Sequence, residues 1–498
     1  MFDRVTPQND WPAMERRILA WWKETDAFGM LVRQNAGAEP WSFQDGPITA
    51  NNPMGVHHAW GRSFKDVWSR FFSMQGRDLR WQNGFDCQGL WVEVEVEKSL
   101  GFKSKRDIEA YGIDAFVRRC KERVLRYAAV QTEQSIRLGM WMHWDDPADL
   151  RFLADHIDEA EALTVDTPAG PVTATVEQLV GQLGKSPWNK SYFTFADTNN
   201  YLIWRFLKEC HRRGWVYRGR DVMPWCARCG TGLSQHEIAT EGYQDLTHKS
   251  PTVRFPLVDR PGESLLVWTT TPWTLSANVS AAVGPELTYL KVRQGDDILY
   301  LAKGAAKAAL KGKEGQDWTV EAELRGADMV GWRYRGPYDH LAAAAPAVEG
   351  AHTVIAWEEV GEAEGTGIVH IAPGCGAEDF GLSKRYDLPV IAPLDESGIY
   401  GADFGWLAGR LALDVAQEVV DDLKARELLY KVEGYKHRYP TCWRCGSELV
   451  FRLVDEWFIS MGPLYDLPRE AVTEAQKAAS LRYQMMDVVD AIRWIPGF

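Results

Sequence analysis

The sequence predicts an α/β protein in which a separate, mostly β module interrupts a parallel sheet. Three features carry this expectation. Short apolar runs near the start of the chain alternate with long stretches of helical periodicity. From about 244 to 432 the texture changes to short β-rich strings, TVRFPL, SLLVW, TYLKVR and ILYLA, separated by turn residues such as QGDD. Two Cys-x-x-Cys pairs, Cys226/Cys229 and Cys442/Cys445, flank that stretch.

Taken in order, MFDRVTPQNDWPAMERRILAWWKETDAF mixes both charge signs with an amphipathic run, as a surface helix does. From Trp41, WSFQDG alternates in polarity and reads as a strand. A Gly/Pro/Asn-rich turn follows, and helical spacing sets in from about Ala59. DLRWQNGFDCQG then reads as a strand ending in a loop, and DIEAYGIDAFVRRCKERVLRYAAVQTEQSIRLGM as one or two amphipathic helices. Strand–helix alternation of this kind places chemistry at the carboxyl ends of parallel strands. Between them, residues 147–190 look like a small inserted subdomain: a helical run around RFLADHIDEAEAL, a hairpin in TVDTPAGPVTA and a helical run in TVEQLVGQLG. The expected units are therefore 1–146, 147–190, a connecting segment 191–243 with the first Cys pair, the β module 244–432, and 433–498 with the second pair.

The chain has 498 residues, 45% hydrophobic and 25% charged, which suits several globular domains. The opening residues have neither the apolar core of a signal peptide nor the acid-poor bias of a transit peptide, and no run approaches the ~20 apolar residues of a membrane span. A cytoplasmic location without membrane attachment is expected. A formal net charge of −13 argues against a generic polyanion binder, so any nucleic acid would be met through local basic patches. Of eight cysteines, four form the two pairs; in a reducing compartment, four thiolates on two tight turns match tetrahedral structural Zn2+ better than disulfides. The remaining four, Cys87, Cys120, Cys210 and Cys375, read as inert thiols.

The loop GPITANNPMGVHHAWGRSFKD, between the first strand and its helix, is placed to bind anions through backbone N–H groups and the helix dipole. Taken alone, its His pair suits a solvated turn as well as a phosphate site. The segment resembles, however, the first signature of class I aminoacyl-tRNA synthetases, which ends His-x-Gly-His and is followed seven residues later by Lys-Asp. Counting back from Lys65, the last His is His58. Gly55, Val56 and His57 fill the other places with His and Gly exchanged. The resemblance implies a Rossmann-type catalytic domain, with Gly55, His57 and His58 binding ATP, the two histidines acting in catalysis, and Pro53 near the amino acid. NGFDCQG resembles the family's Gly-x-Asp-x-x-Gly segment, so Asp86 is expected to hold the ammonium group of the amino acid. Gln88 stands where His is common.

Within the β module, VWTTTPWTLSANVS and GTGIVHIAPGCGAEDF closely resemble the editing site of isoleucyl-tRNA synthetases. Valyl and leucyl relatives carry an Arg-Pro version of the Thr-rich string, and Trp-Thr-Leu after the Pro selects the isoleucyl branch. By that resemblance Asp379 anchors the ammonium group of a mischarged amino acid and acts in catalysis. Thr269, Thr270 and Thr271 contact the ester and terminal adenosine, and Trp273 and His370 belong to the pocket. Ser276 and Cys375 depart from the usual Pro and His or aromatic residue. The β module is then the inserted editing (CP1) domain, tethered by a zinc ribbon. Such a domain is needed because one methylene in an apolar pocket is worth only about 1–3 kcal/mol, a magnitude known from this very enzyme class. A second, smaller pocket can then admit valine and exclude isoleucine.

The resemblance implies ATP with Mg2+, L-isoleucine and tRNA(Ile) as partners, and a monomer. No Lys-Met-Ser-Lys-Ser string occurs, so the chain is expected to hold the first half of the catalytic fold. Two other functions fit the sequence: a stand-alone hydrolase of mischarged tRNA, and a valyl or leucyl relative. The loop with His57 and His58 speaks against the first, the TTTPWTL string against the second.

Overall fold

The computed structural model describes residues 10–44, 46–167, 170–184, 190–350, 352–362 and 364–494. Two compact units meet in sequence at Gly214 and Trp215.

In the first unit, helix Trp11–Glu24 starts where the Asp10 carboxylate accepts from the Ala13 N–H at 3.0 Å, with a Pro in its first turn. The centre of the unit is a parallel three-stranded sheet, Gly84–Asp86 lying between Ile48–Thr49 and Tyr192–Phe193. Parallel neighbours need crossovers. Helix Val56–Met74 connects the first strand to the middle one, and helices Leu90–Leu100, Lys105–Tyr111 and Ile113–Leu138 lie between the middle strand and the third.

Two strand expectations are corrected. Among the described residues of WSFQDG only Trp41 is in a strand: Pro40–Trp41 pairs with Asp78–Leu79, and Trp41 stacks on Phe72 with ring centroids 4.3 Å apart. The strand that feeds the loop is Ile48–Thr49, and its helix begins at Val56, three residues before Ala59. DLRWQNGFD likewise divides into two short strands, Asp78–Leu79 and Gly84–Asp86, in different sheets.

Residues 147–190 contain the expected pieces: helix Pro147–Asp155, an antiparallel hairpin of Leu163–Thr167 with Gly170–Ala174, and helix Val176–Gln182. Their described residues join a shared core. Leu150, Leu153, Val165 and Leu179 pack in the same buried cluster as Phe85, Leu125 and Phe193, so the segment closes the hydrophobic face of the parallel sheet.

The second unit is mostly β. A six-stranded sheet runs in the order Thr319–Arg325, Thr288–Gln294, Asp297–Ala302, Glu263–Trp268, Tyr243–Pro256, Leu429–Pro440. The QGDD turn closes its tightest hairpin, Gln294 facing Asp297 with Gly295 at φ +60°, the geometry a two-residue hairpin loop requires. A smaller sheet places Ser280–Val283 between Val354–Ala356 and Ile368–Ile371. One large cluster, including Val253, Phe255, Leu265, Val267, Trp273 and Leu275, forms the core. Strands Tyr243–Pro256 and Leu429–Pro440 pair from Val253/Leu429 to Tyr243/Pro440, so the module's entry and exit run together as one ribbon.

Candidate functional site

Helix Val56–Met74 springs directly from the loop carrying the His pair. Gly55 caps it, and the Gly55 N–H donates to Nδ1 of His58 at 3.1 Å, turning that ring back toward the helix start. The rings of His57 and His58 lie 3.8 Å apart, His57 exposed and His58 half-buried. Partial burial, with His57 and the Arg62 guanidinium close by, holds His58 below the usual imidazole range. A side chain at Gly55 would meet the His57 ring at 2.9 Å, so glycine is what lets the two imidazoles sit at the helix N-terminus. Pro53 is exposed in the preceding turn. Asp86 ends the middle strand, where its carboxylate accepts from Thr49 Oγ1 at 3.0 Å and Thr194 Oγ1 at 3.4 Å. Both hydroxyls come from the adjoining strand ends, so Asp86 sits where a parallel sheet offers its ligand crevice.

What the sequence does not reveal here is how the loop is held. Gln131, almost wholly buried on helix Ile113–Leu138, donates through Nε2 to the carbonyls of Thr49 and Asn52, both at 2.9 Å. Gln134 Oε1 accepts from the Met54 N–H at 2.8 Å, and Arg123 donates to the Asn52 side chain at 3.1 Å. One helix therefore clamps the loop backbone on both sides of Pro53. A glutamine on a charged amphipathic helix gives no sequence signal for this.

The four paired cysteines converge. Their Sγ atoms all lie within 4.8 Å of one another, Cys226 and Cys445 at 3.5 Å, and among the described residues they form the one group of three or more such side chains that could hold a metal ion. A tetrahedron with Zn–S of 2.3 Å has S···S edges of ~3.8 Å, so the donor set fits zinc. Each knuckle is a tight turn: Gly230 N–H bonds Cys226 O at 2.8 Å, and Gly446 N–H bonds Cys442 O at 2.7 Å. The four sulfurs titrate as one group, hydrogen bonds among them holding Cys442 and Cys445 below the usual thiol range and Cys226 and Cys229 above it. Glu237 accepts from Trp443 Nε1 at 3.2 Å and Arg444 at 2.5 Å, fastening the second knuckle to the segment after the first.

In the β module, strand Glu263–Trp268 delivers Thr269, Thr270 and Thr271 into a 3-10 turn, Pro272–Ala277. Thr269 Oγ1 accepts from the Thr271 N–H at 3.1 Å and lies 3.4 Å from Thr271 Oγ1; Thr271 Oγ1 is 3.4 Å from Thr274 Oγ1, and Thr274 Oγ1 is 2.8 Å from His370 Nε2. The string thus becomes a row of hydroxyls ending on a buried imidazole. Thr270 lies half-buried outside that row, and Trp273 is buried in the core with its carbonyl accepting from Tyr400 at 2.7 Å. Thr274, which joins the threonines to His370, was not among the residues singled out by sequence. Its partner is 96 positions away, so only the return of strand Ile368–Ile371 reveals it.

Asp379 lies in the first turn of helix Ala377–Tyr386, and its Oδ2 accepts from the Ala372 N–H at 2.8 Å. Burial pushes its carboxyl up to about 6, against the opposing pull of that hydrogen bond. Burial alone lowers His370 to about 4, so its ring is neutral near pH 7. Cys375 is buried, and both burial and the Asp379 charge keep its thiol protonated, which removes it as a nucleophile.

Comparison with known proteins decides the family. The model of tRNA synthetases class I (I, L, M and V) matches residues 17–160 and 169–496. The chain belongs to the class I tRNA synthetases. Within that family it is 35% identical to the isoleucine–tRNA ligase of Streptomyces coelicolor, covering 93% of this chain and 40% of that protein. It is 36% identical to the isoleucine–tRNA ligase of Thermus thermophilus, covering 92% and 39%, and 31% identical to that of Sulfolobus acidocaldarius, covering 99% and 41%. The chain spans about two fifths of the length of these curated relatives. Membership in the family bears out the α/β class and the resemblance on which the site residues rest. Among the described residues no helix is long and apolar enough to cross a membrane.

Proposed function

We propose that this chain carries the amino-acid activation loop and the editing pocket of an isoleucine–tRNA ligase, an enzyme that joins L-isoleucine to tRNA(Ile) with ATP and Mg2+ and hydrolyses valine mischarged to that tRNA. The row of hydroxyls from Thr269 to Thr274, ending on His370 of the strand–turn unit that also bears Asp379, carries the reading. Relatives bearing that name at 31–36% identity support it. Units 1–146, 147–190, 191–243, 244–432 and 433–498 serve as the first half of the catalytic fold, a segment completing its core, a connection, the editing domain and the return through the second knuckle. The protein acts in the cytoplasm as a monomer.

In activation, the backbone N–H groups around Gly55, with His57 and His58, receive phosphate oxygens of ATP at the helix N-terminus, while Asp86 pairs with the ammonium group of isoleucine beside Pro53. Helix Val56–Met74 leaves Val56, Trp60, Val67 and Met74 more than 60% exposed, which supports a catalytic fold completed by further elements. Zn2+ held by Cys226, Cys229, Cys442 and Cys445 would fasten the two ends of the editing module to one another.

In editing, Asp379 binds the ammonium group of valine. Thr269, Thr270 and Thr271 face the ester and the terminal adenosine, Trp273 backs the pocket wall, and a water positioned beside His370 attacks the ester carbonyl, its oxygen joining the carboxyl carbon as the bond to the ribose oxygen breaks and a water proton passes to that oxygen. No covalent nucleophile is needed, since water and a fixed ammonium suffice. Binding of an adenosine carrying valine through a 3′ amide, which resists hydrolysis, tests the pocket. The chain should bind the valine amide more tightly than the isoleucine amide, and Asp379→Ala should abolish the preference. Equal binding of both by the unsubstituted chain would refute the assignment.

A further inference from the structure

Thr274 meets His370 across 96 positions of sequence. The Thr274 hydroxyl has two neighbours that decide its direction: it donates to the Thr271 carbonyl at 2.8 Å, and it lies 2.8 Å from His370 Nε2. Two arrangements are possible. If the hydroxyl proton goes to the carbonyl, His370 donates from Nε2–H and its Nδ1 is a bare acceptor. If instead the hydroxyl donates to Nε2, Nδ1 must carry the proton. Nδ1 is buried and has no hydrogen-bond partner. A buried N–H without an acceptor is rarer and costlier than an acceptor lacking one donor. The second arrangement also gives up the bond to Thr271 O. The row of threonines is compatible with the first: Thr269 can donate to Thr271 and Thr271 to Thr274, which then donates to the Thr271 carbonyl and accepts from His370 Nε2–H.

We propose that Thr274 is a positioning residue that locks His370 as the neutral Nε2–H tautomer, so that Nδ1 stands ready to accept a hydrogen bond that only the occupied site supplies. This deepens the editing reading and rests on it for the identity of the donor. Asp379 takes the ammonium group, so the donor left for Nδ1 is the O–H of the hydrolytic water. Nδ1 orients that water by accepting its hydrogen bond, and no proton is transferred to the ring in this step. The locked tautomer matters because the other one would present an N–H to the water oxygen and turn its lone pair away from the ester carbon.

The full chain labelled with 15N-histidine tests this by two-bond 1H–15N correlation at pH 7, with His370 assigned from a His370→Asn variant. The expected pattern is a single Nε2–H tautomer. Thr274→Val should convert it to a mixture and lower kcat for release of valine from valine-charged isoleucine tRNA roughly tenfold with KM unchanged; Thr274→Ser should restore both. An Nδ1–H pattern in the unsubstituted chain would overturn the proposal, as would a Thr274→Val chain with unaltered tautomer and kcat. If the tautomer responds as expected but the unsubstituted chain releases no valine, the locking role of Thr274 stands and the editing reading falls.

Discussion

Asp379 turns its carboxylate back onto the backbone N–H of Ala372, 2.8 Å away, two residues beyond His370. A strand, a Pro-Gly turn and a helix start thus deliver an anion and an imidazole from one continuous segment. Burial raises the cost of that anion and pushes its carboxyl up to about 6. A group with such a native value, against about 3.9 in an unfolded chain, supports folding fully below pH ~4 and loses that support as pH rises through ~6. The difference is on the order of 3 kcal/mol. Asp379→Asn should therefore melt higher than the unsubstituted chain at pH 7, with the gap closing toward pH 4, while losing affinity for the valine amide. A variant destabilised at pH 7 would contradict the burial argument.

His370 acts in the opposite sense. Its native value of about 4 lies below that of a free imidazole, so its contribution is complete above pH ~6.5 and is lost as pH falls through ~4. In the chain as it stands the two effects oppose each other between pH 6 and 4. In Asp379→Asn the loss from His370 is unmasked, and denaturant titrations should show stability falling across that window.

The metal cluster gives a separate test. With four sulfurs within 4.8 Å at the base of the Tyr243/Pro440 ribbon, the chain should contain one zinc per molecule. Chelation, or Cys229→Ser, should lower the melting temperature of the β unit by about 5–10 °C, since a bound metal contributes folding free energy directly. Full retention of thermal stability with no zinc by elemental analysis would rule out a structural metal.

Gln131 holds the activation loop through two carbonyls. Gln131→Leu keeps the volume but removes the Nε2 donor shared by the Thr49 and Asn52 carbonyls, while Thr49 O keeps the Asn51 N–H at 3.0 Å, so the cost is about 1–2 kcal/mol. Hydrogen exchange at Met54–His58 should rise in parallel. Exchange unchanged there, with the fold intact, would mean that the clamp does not set the loop.

Gly374 admits no side chain: a Cβ would sit 1.9 Å from the Ile391 carbonyl oxygen. Gly374→Ala should destabilise the β unit by more than ~3 kcal/mol and displace Asp379 with it, an effect readable in denaturant midpoints.

How much of this was legible in the sequence differs from site to site. The Cys pairs could be read because ligand spacing is local and metal geometry demands it. The loop of Gly55, His57 and His58 and the carboxylates Asp86 and Asp379 stand out because each lies in a short contiguous string that resembles a family signature. The strands beneath the loop could not, since two residues such as Ile48–Thr49 are too few for polarity to alternate; their pairing depends on neighbours far along the chain. Thr274 and Gln131 escaped for a related reason. A threonine after Trp and a glutamine within a charged helix look ordinary until His370 and the Thr49 carbonyl arrive beside them. Residues 147–190 read as a small inserted subdomain because a hairpin between two helical runs differs in character from its surroundings; that Leu150, Val165 and Leu179 pack in the same cluster as Phe85 and Phe193 depends on contacts far along the chain.

The most direct measurement is release of the amino acid from valine-charged and isoleucine-charged isoleucine tRNA by this chain, beside Asp379→Ala. The account requires valine to leave at least ~10-fold faster than isoleucine and the variant to lose that release. Equal survival of both esters with a folded, zinc-loaded chain would contradict it.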